Sequence, residues 1–237
     1  MLLYYITDRA SLADDELQRR ARLLQKISEA ARAGVDYIQL REKDLNTRDL
    51  ESLAREAVEV VAQSVSQRTG NQQPGTRLLL NSRVDVALAC AADGVHLRSA
   101  DIPPRMVREI YSRSARTEVK HPISVSCHSV EEVSRAAQDG ADLALFAPVF
   151  GKSVQKNRNV PASSATGLDT LREACRQKIP VLALGGITLE NAQDCKKAGA
   201  AGIAAIRLFQ ENNIAEIVRQ LRLHGIHNKD RDNSALP

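Results

Sequence analysis

The amino-acid sequence predicts an α/β protein that folds as a single (β/α)8 TIM barrel. Short apolar runs alternate with segments of helical periodicity eight times along the 237 residues. The runs are apolar almost throughout, which is typical of strands that are buried on both faces of a parallel sheet. Eight such units in about 225 residues fit a closed barrel better than an open doubly wound sheet. Because no glycine fingerprint follows the first run, the open sheet is the less favoured alternative.

The predicted strands are the eight apolar runs. They cover residues 2–7, 35–40, 77–80, 94–97, 123–126, 141–146, 181–184 and 201–206. The polar segment 71–75 is predicted as a surface loop, and 151–166 is a longer polar stretch. We therefore predict one barrel domain over residues 1–224, followed by a polar and disordered tail over residues 225–237.

The predicted helices follow the strands and carry start and stop signals. They cover residues 16–32, 47–66, 83–91, 103–114, 130–138, 168–177, 188–197 and 214–223. Prolines 103 and 104 suit a first helical turn, Ser129 with Glu132 fits a capping box, and Thr188 fits an N-cap. Glycines where a helix gives way to a strand are predicted to supply left-handed caps, namely Gly34, Gly94, Gly140 and Gly199.

Composition and charge exclude several classes of protein. The net charge is only +4, the 33 basic and 29 acidic residues are interspersed, and there is no Trp. Nucleic-acid binding is not expected, since it is better supported by a basic stripe with stacking aromatics. No run approaches 18 apolar residues, and charge at Asp8 and Arg9 comes too early for a signal peptide. We therefore expect a cytoplasmic protein without membrane contact.

The cysteine spacing indicates neither a metal site nor a redox pair. The four cysteines are far apart in the sequence and are predicted to be free thiols without zinc: Cys90, Cys127, Cys175 and Cys195.

The carboxyl ends of the strands are where a barrel of this kind places its active site. Gln39, Arg41 and Lys43 end the second strand at a spacing of two residues, so in an extended chain all three point to one side. Two cations and an amide that converge there are typical of a polyanion site. The alternative is an ordinary charged loop, because Glu42 and Asp44 alternate with them.

Polar residues also end the third, fourth and fifth strands. Asn81 ends the third strand, and Asp101 follows the fourth, where it could ligate a metal or be a solvated loop aspartate. Ser126 and His128 end the fifth strand without an aspartate partner for a nucleophilic triad. His128 could act as a general acid or base, or it could be an oriented structural group. His96 has apolar neighbours and is predicted to be a core histidine.

The last two strands end in residues that suit a phosphate. Gly185 and Gly186 precede a helix start, where backbone N–H groups can contact a phosphate, although a tight strand-to-helix turn also explains them. Arg207 follows the eighth strand and is another candidate for phosphate binding. Together these positions indicate phosphate esters as ligands. Asp8 and Arg9, after the first strand, are expected only to brace the site.

The segments at the strand ends match a known family in content and in order. They include Tyr5-Ile6-Thr7-Asp8-Arg9, Gln39-Leu40-Arg41-Glu42-Lys43, Asn81-Ser82-Arg83, Gly94-Val95-His96-Leu97, Ser126-Cys127-His128 and Leu184-Gly185-Gly186-Ile187. Through them the sequence resembles the thiamine phosphate synthases and their TenI-type relatives over nearly the whole chain up to about Phe209. The string from Gln39 to Lys43 is the most specific of these segments.

The resemblance implies a barrel transferase that joins the two halves of thiamine. Its substrates would be hydroxymethylpyrimidine diphosphate and a thiazole phosphate, with Mg²⁺ as the cofactor. The diphosphate would leave to give a pyrimidine cation, which the thiazole nitrogen would capture. Dimers are frequent in this family, so a homodimer is also implied.

The resemblance further implies roles for single residues. Arg41 and Lys43 would hold the diphosphate with magnesium, Asn81 would contact the same end, and Asp101 matches the metal-binding aspartate of the family. These four residues would form the diphosphate end of the site.

Other positions would contact the two rings and the leaving group. Gln39 would face the pyrimidine, Ser126 would donate to the leaving oxyanion, and Gly186, next to Gly185, would meet the thiazole phosphate through its N–H. The catalytic residues implied in this way are Arg41, Lys43, Ser126 and His128.

Three departures from the family pattern leave the activity open. Ser82 stands where the family has an aspartate, so one expected magnesium carboxylate is absent. The loop after the sixth strand lacks the family's threonines, so its lysine contact would come from Lys152, from Lys156 or from neither. Arg207 stands where the family usually has a serine that contacts phosphate.

These departures allow two other functions. A TenI-type thiazole tautomerase would move a proton with His128 as acid and base, and it would need no magnesium. The retained Gln39, Arg41, Lys43 and Asp101 favour the synthase, because a tautomerase has little use for them. A silent barrel that binds thiazole or pyrimidine phosphates is the third hypothesis.

Overall fold

The apolar runs form a closed barrel of parallel strands in the computed structural model, which describes residues 1–66, 75–114, 120–151 and 166–223. Each strand pairs with the next along the chain, and the last pairs with the first, so the predicted (β/α)8 fold is confirmed. The strands are β1 (Leu2–Ile6), β2 (Tyr37–Leu40), β3 (Arg77–Asn81), β4 (Gly94–Leu97), β5 (Ile123–Cys127), β6 (Leu143–Phe146), β7 (Val181–Leu184) and β8 (Gly202–Ala205).

Helices follow the strands and pack on one another around the barrel, with α1 lying between α2 and α9. They are α1 (Glu16–Ala33), α2 (Thr47–Ser66), α3 (Val84–Ala89), α4 (Pro104–Ser114), α5 (Val130–Gln138), α6 (Gly167–Ala174), α7 (Leu189–Lys197), α8 (Arg207–Gln210) and α9 (Ile214–Leu223). A short 3-10 helix, Arg9–Ser11, precedes α1. The bounds of α2, β4, β7 and α9 are those predicted.

Some predicted boundaries are wrong because an apolar run is longer than the strand in it. Val35 and Ala141 belong to their runs, but their N–H groups still donate to Ala30 and Ala136 in the preceding helices. The strands β2 and β6 therefore start two residues later than predicted, at Tyr37 and at Leu143. The predicted helix 168–177 also ends early, since α6 stops at residue 174.

The predicted glycine caps are confirmed at three positions and wrong at one. Gly34, Gly140 and Gly199 have φ angles of 86°, 81° and 102°. Gly94 lies within β4 instead, and Ala91 takes the left-handed conformation at the end of that helix, with φ 53°. A Cβ on Gly94 would stand 2.0 Å from the Pro122 carbonyl oxygen, so this glycine is required by close strand packing.

The core has two layers, as expected for strands with both faces buried. Inside the barrel, side chains from several strands meet in a small cluster of Tyr4, Ile6, Leu79, Leu143, Leu145, Leu182 and Ala204. The larger cluster lies between the strands and the surrounding helices. Alternate residues of a strand point to opposite faces. Along each strand, side chains therefore point in turn into the barrel interior and into the layer beneath the helices.

The first and last elements of the described chain are clamped together. β1 pairs with β8, and the Arg222 guanidinium on α9 donates to the Met1 carbonyl at 2.6 Å and to Gly34 at 3.0 Å. It also forms an ion pair with Asp36 at 2.7 Å. Closure of the barrel thus depends on contacts between the two ends of the sequence.

All four cysteines are free, as predicted. Within residues 1–66, 75–114, 120–151 and 166–223, no helix is long and apolar enough to span a membrane. The predicted tail over 225–237 and most of the predicted loop 71–75 lie outside the described residues.

Candidate functional site

A buried cluster after β1 supports the segment that follows β2. The Thr7 hydroxyl donates to the Glu42 carboxylate at 2.5 Å and accepts the Arg41 N–H at 3.0 Å. The Arg9 N–H donates to the same carboxylate at 3.0 Å, and the Arg9 guanidinium bonds to Asp44 at 2.8 Å. Arg9 and Glu42 are 2% and 6% exposed. Arg9 therefore has the bracing position expected of it, and the cluster holds the backbone of Arg41.

Glu42 is the titratable centre of this brace. Burial raises the pKa of its carboxyl group to about 7, although hydrogen bonds from Thr7 and Arg9 act in the opposite direction. The Glu42 side chain can therefore exchange a proton near neutral pH. Asp8, the other expected brace, is held through its backbone by the Gln210 side chain, which accepts its N–H and donates to its carbonyl oxygen.

Arg41 and Lys43 lie after β2 rather than in it. The strand ends at Leu40 and Lys43 is in a turn, so the extended spacing used to align them with Gln39 does not continue past Arg41. They nevertheless come close together. The charge of Arg41 lowers the pKa of Lys43, with burial and the charge of Arg98 adding to the effect. A cluster of three cations therefore lies at this part of the barrel mouth, the end where the strands terminate.

Polar side chains at the ends of β2, β3 and β4 form one hydrogen-bonded chain. The Gln39 amide donates to Asn81 at 2.8 Å, and Asn81 donates to Ser82 at 3.3 Å. Ser82 donates to the Asp101 carboxylate at 2.6 Å, and Arg98 donates to the same carboxylate from its backbone at 2.8 Å and from its guanidinium at 2.8 Å. Burial acts to raise the pKa of Asp101, but the hydrogen bonds from Arg98 and Ser82 hold it below its usual value.

His96 is a core histidine, as predicted, but it also contacts a candidate site residue. It is 3% exposed, and its two ring nitrogens lie 2.9 Å from the Ser124 hydroxyl and 2.8 Å from the Ser126 hydroxyl. Burial lowers the pKa of His96 to about 3, so the ring is neutral at physiological pH. Ser126 is half-buried in β5, the strand next to β4, which Asp101 follows.

His128 lies at the surface of the mouth, between β5 and α5. Its Nδ1 donates to the Ala147 carbonyl at 2.8 Å, which for a neutral ring leaves Nε2 as the basic nitrogen. The predicted capping box of α5 is only half formed. Ser129 accepts the Glu132 N–H, but the Glu132 carboxylate accepts the N–H of His128 instead of that of Ser129.

Gly185 and Gly186 form the sharp turn after β7. Their φ angles are 98° and 63°. A Cβ on Gly185 would stand 2.8 Å from Pro148, and one on Gly186 would stand 2.8 Å from Phe150. The turn leads into α7, whose N-cap Thr188 forms a reciprocal capping box. The two glycines therefore form a tight turn, as one interpretation of the sequence has it. The turn also lies beside a helix N-terminus, where the other interpretation places a phosphate.

A cavity of about 570 Å³ connects this turn to the end of β8. Gly186, Thr188, Asn191 and Arg207 line it, together with two carboxylates, Glu190 and Glu211. Arg207 is exposed and starts α8, so it follows β8 as predicted. The other predicted residues of this half, Lys152 and Lys156, lie outside the described residues.

Sequence reasoning missed three side chains at or below the mouth. Ser124 stands two residues before Ser126 in β5, so strand alternation was the signal that could have placed it toward the interior. Arg98 follows β4 directly, so its position after a strand end was the signal for it. The third is Gln210, which bonds to Tyr5 and to the Asp8 backbone. No local pattern indicates it, because α8 is a single turn.

The donors near Asp101 are hard oxygen atoms. They comprise the Asp101 carboxylate and the Ser82 hydroxyl that donates to it. Further along the same hydrogen-bonded chain, the buried Gln39 Oε1 has no hydrogen-bond partner among the described residues. Among those residues no cluster of three or more His, Cys, Asp or Glu side chains could hold a metal ion by itself. This donor set suits a weakly held magnesium ion that takes most of its ligands from water and a phosphorylated substrate.

Comparisons with known proteins agree with one another. The model of a family described as thiamine monophosphate synthase matches residues 3–209. A thiamine-phosphate synthase of Methanocella arvoryzae is 36% identical over 235 residues, covering 94% of this chain and 97% of that protein. One of Roseiflexus sp. is 36% identical over 206 residues, covering 86% of this chain and 76% of that protein. A solved structure of thiamine phosphate pyrophosphorylase from Pyrococcus furiosus has a TM-score of 0.71 at 28% identity and covers 94% of both chains.

Proposed function

The chain belongs to the thiamine monophosphate synthase family and is a transferase of the thiamine-phosphate synthase type, and we propose that it joins its two substrates at the barrel mouth. These are hydroxymethylpyrimidine diphosphate and a thiazole phosphate. The observation that carries the proposed site is the electrostatic interaction of Lys43 with Arg41 and Arg98 at the barrel mouth. Arg98 and Ser126 line one pocket there. A diphosphate concentrates several negative charges, and cations next to a hydroxyl donor are suited to bind it.

The reaction breaks the bond between the pyrimidine methylene carbon and the diphosphate oxygen. The electron pair of this bond goes to the leaving oxygen, and the thiazole nitrogen then supplies the pair for the new C–N bond. Arg41 and Lys43 neutralise the charge that grows on the diphosphate, and Ser126 donates a hydrogen bond to the leaving oxygen. Donors of this kind act best when the protein holds them in place beforehand, as the brace holds the Arg41 backbone.

Gln39 is the side chain best suited to the pyrimidine. Its amide nitrogen already donates to Asn81, whereas its Oε1 is buried without a partner in the described part of the chain. A buried acceptor of this kind gains a hydrogen bond when a ligand brings a donor, and the pyrimidine carries an amino group. The Gln39–Asn81 bond would keep this acceptor in one orientation.

The thiazole phosphate is assigned to the half of the mouth around β7 and β8. The cavity beside the Gly185–Gly186 turn offers the Gly186 N–H and the Arg207 guanidinium. Its two carboxylates disfavour a polyanion, which supports the singly phosphorylated substrate here and the diphosphate at the cation cluster. A contact of Lys152 or Lys156 with the same substrate stays a prediction.

Magnesium is proposed as the cofactor, with Asp101 as its protein ligand. A bound Mg²⁺ would neutralise charge on the diphosphate and improve it as a leaving group. Asp101 can release Arg98, whose side chain is 62% exposed, without breaking a buried contact. Since Ser82 offers a hydroxyl in place of a carboxylate, the metal site has less negative charge than the family pattern provides.

The proposal is tested by supplying the purified protein with both substrates and Mg²⁺. We expect thiamine phosphate and diphosphate to appear in equal amounts, and neither to form when the thiazole phosphate is omitted. Chelation of magnesium should strongly slow the reaction. Absence of product above background with both substrates present would refute the proposed reaction, and full activity in the presence of a chelator would refute the cofactor.

One observation favours thiazole tautomerisation as the second candidate. The contact of His128 Nδ1 with Ala147 leaves Nε2 of an exposed ring free to exchange a proton at the mouth. Isomerisation of the thiazole carboxylate phosphate should then proceed under chelation and collapse in His128→Ala, while His121→Ala, which lies away from the mouth, should retain it. No isomerisation by the wild-type protein excludes this candidate.

The proposal includes a homodimer in the cytoplasm. Sedimentation of the purified protein at micromolar concentration should give twice the mass of 25.9 kDa. A monomer at that concentration would contradict the oligomeric state.

A further inference from the structure

A line of hydrogen-bonded side chains crosses the barrel interior and ends at Ser126. The Tyr4 hydroxyl lies 3.0 Å from the Ser124 hydroxyl, which lies 2.9 Å from His96 Nδ1. His96 Nε2 lies 2.8 Å from the Ser126 hydroxyl. Tyr4 and Ser124 are fully buried and His96 nearly so, whereas Ser126 is half-buried at the mouth. The line therefore leads from β1, through β4 and β5, to the proposed diphosphate site.

The number of protons in this line is set by burial. His96 is neutral, because burial lowers its pKa to about 3, so one ring nitrogen carries a proton and the other carries a lone pair. Burial raises the pKa of Tyr4, so its hydroxyl stays protonated. Each of the two serines contributes one hydroxyl proton. Four protons are thus available for three hydrogen bonds, and one of them is left over.

The two possible directions of donation differ in which end keeps the extra proton. If Tyr4 donates to Ser124, Ser124 donates to Nδ1, Nε2–H donates to Ser126, and the Ser126 proton stays free. In the reverse direction Ser126 donates to Nε2, and the Tyr4 proton is the one without an acceptor. A third arrangement, in which Tyr4 and Nδ1–H both donate to Ser124, leaves the proton of the fully buried Ser124 hydroxyl without an acceptor. Within the part of the chain that the structure describes, the Tyr4 hydroxyl has no other hydrogen-bond partner. An unsatisfied donor is far more costly when fully buried than at a mouth open to water, so the first direction is favoured.

We propose that Tyr4, Ser124 and His96 are positioning residues that keep Ser126 a hydrogen-bond donor toward the leaving diphosphate. The proposal rests on the proposed function, since it assigns the recipient of the Ser126 proton. It makes His96 the Nε2–H tautomer. The Ser126 hydroxyl then finds no acceptor on His96. It is free to donate a hydrogen bond to an oxygen whose negative charge grows during the reaction.

The tautomer can be measured without any activity. In protein labelled with ¹⁵N at histidine, the His96 resonances should show a protonated Nε2 and an unprotonated, hydrogen-bonded Nδ1. The Nδ1–H tautomer would overturn the proposal even if the enzyme makes thiamine phosphate. Conversely, an inactive protein with the Nε2–H tautomer would refute the proposed function and leave the direction of the line intact.

A double-mutant cycle tests whether the line acts through Ser126. Ser124→Ala removes the donor to Nδ1 and should lower kcat about fivefold, the value of one ordinary hydrogen bond, with little change in the KM for the diphosphate. In a Ser126→Ala background the same substitution should have no further effect on kcat. An equal loss in both backgrounds would mean that Ser124 only supports the fold, and would overturn the proposal.

Two tyrosines provide a matched control. Tyr4→Phe removes the first donor of the line and should lower kcat a few-fold, about as much as one weak hydrogen bond. Tyr111→Phe removes a buried hydroxyl that has no hydrogen-bond partner among the described residues, and it should leave kcat unchanged. Equal effects of the two substitutions would contradict a role for the Tyr4 hydroxyl.

Discussion

The two halves of the barrel mouth offer different groups to a ligand: one half offers side chains, and the other offers the backbone. After β2, β3, β4 and β5 the groups offered to a ligand are side chains, such as Arg41, Asp101 and Ser126, and each of these is held by other side chains or by the brace. After β7 the turn at Gly185 and Gly186 offers its backbone, in a conformation that leaves no room for a Cβ. The side-chain half can therefore be changed one functional group at a time, whereas the glycine half depends on the shape of the main chain.

The largest effect is expected in the side-chain half, from Arg41→Ala. Loss of a charged donor at the growing negative charge should lower kcat/KM by about 100-fold or more. Steady-state kinetics with saturating thiazole phosphate measure it. Arg32→Ala, at the end of α1 and away from the mouth, is the control and should leave activity unchanged. A loss no greater than that of the control would remove Arg41 from the site.

The glycine half is tested by Gly186→Ala against Gly140→Ala. Both positions have a left-handed φ, so backbone strain alone should cost each variant about 1 kcal/mol of unfolding free energy, and Gly186→Ala should lose more because its Cβ has no room. A Cβ at Gly186 also meets Phe150, whereas one at Gly140 has nothing within 4 Å. Only Gly186→Ala should therefore raise the KM for the thiazole phosphate, by about tenfold. If the two variants have the same KM, the turn is structural and the comparison of the halves fails.

A smaller effect is expected when a carboxylate is added to the side-chain half. Ser82 has a φ of 60°, a conformation that aspartate tolerates well, so Ser82→Asp should fold normally. The extra charge should lower the magnesium concentration for half-maximal activity about fivefold. Ser112→Asp, exposed at the end of α4, makes the same change in net charge. An equal shift in the two variants would show that magnesium does not bind near Asp101.

The smallest effect on activity is expected from the brace, whose titration is measured as stability instead. The folded-state pKa of Glu42 is raised to about 7, above the ordinary value of 4.5 in the unfolded chain. Its contribution to stability is therefore complete below pH 4.5 and lost as pH rises through 7. Between pH 4.5 and 8 the unfolding free energy of the wild type should fall by about 3 kcal/mol more than that of Glu42→Gln.

Urea unfolding at both pH values measures this difference. Glu109→Gln, on the exposed side of α4, should follow the wild type. Parallel curves for Glu42→Gln and the wild type would show that the buried carboxyl group does not titrate in this range.

Prediction from sequence worked best where local pattern and position in the fold coincide. Apolar runs marked the strands because both faces of each strand are buried, and knowledge of the strand ends was enough to single out Arg41, Asp101 and Ser126. These assignments to the active site themselves remain predictions, which the variants above test. The glycines of the β7 turn were found for the same reason.

The rest depends on contacts between distant segments. Glu42 alternates with cations in the sequence and looked like a solvated loop residue, yet it is buried because Thr7 and Arg9 bring bonds from another strand. The sequence does not distinguish Ser124 from other polar strand residues, because its contacts with Tyr4 and His96 arise only in the folded barrel. Such partners are set by the barrel geometry, so no single segment indicates them.

The clamp that Arg222 makes with Met1, Gly34 and Asp36 bears on how the protein is made. A ribosome releases β1 first and α9 last, so the early strand must wait for its second neighbour while some two hundred residues are synthesised. During that time one edge of β1 is open to pairing with other chains. We therefore expect truncation just before β8 to yield aggregates in the cell rather than a loosened barrel, because the edge of β1 then stays exposed.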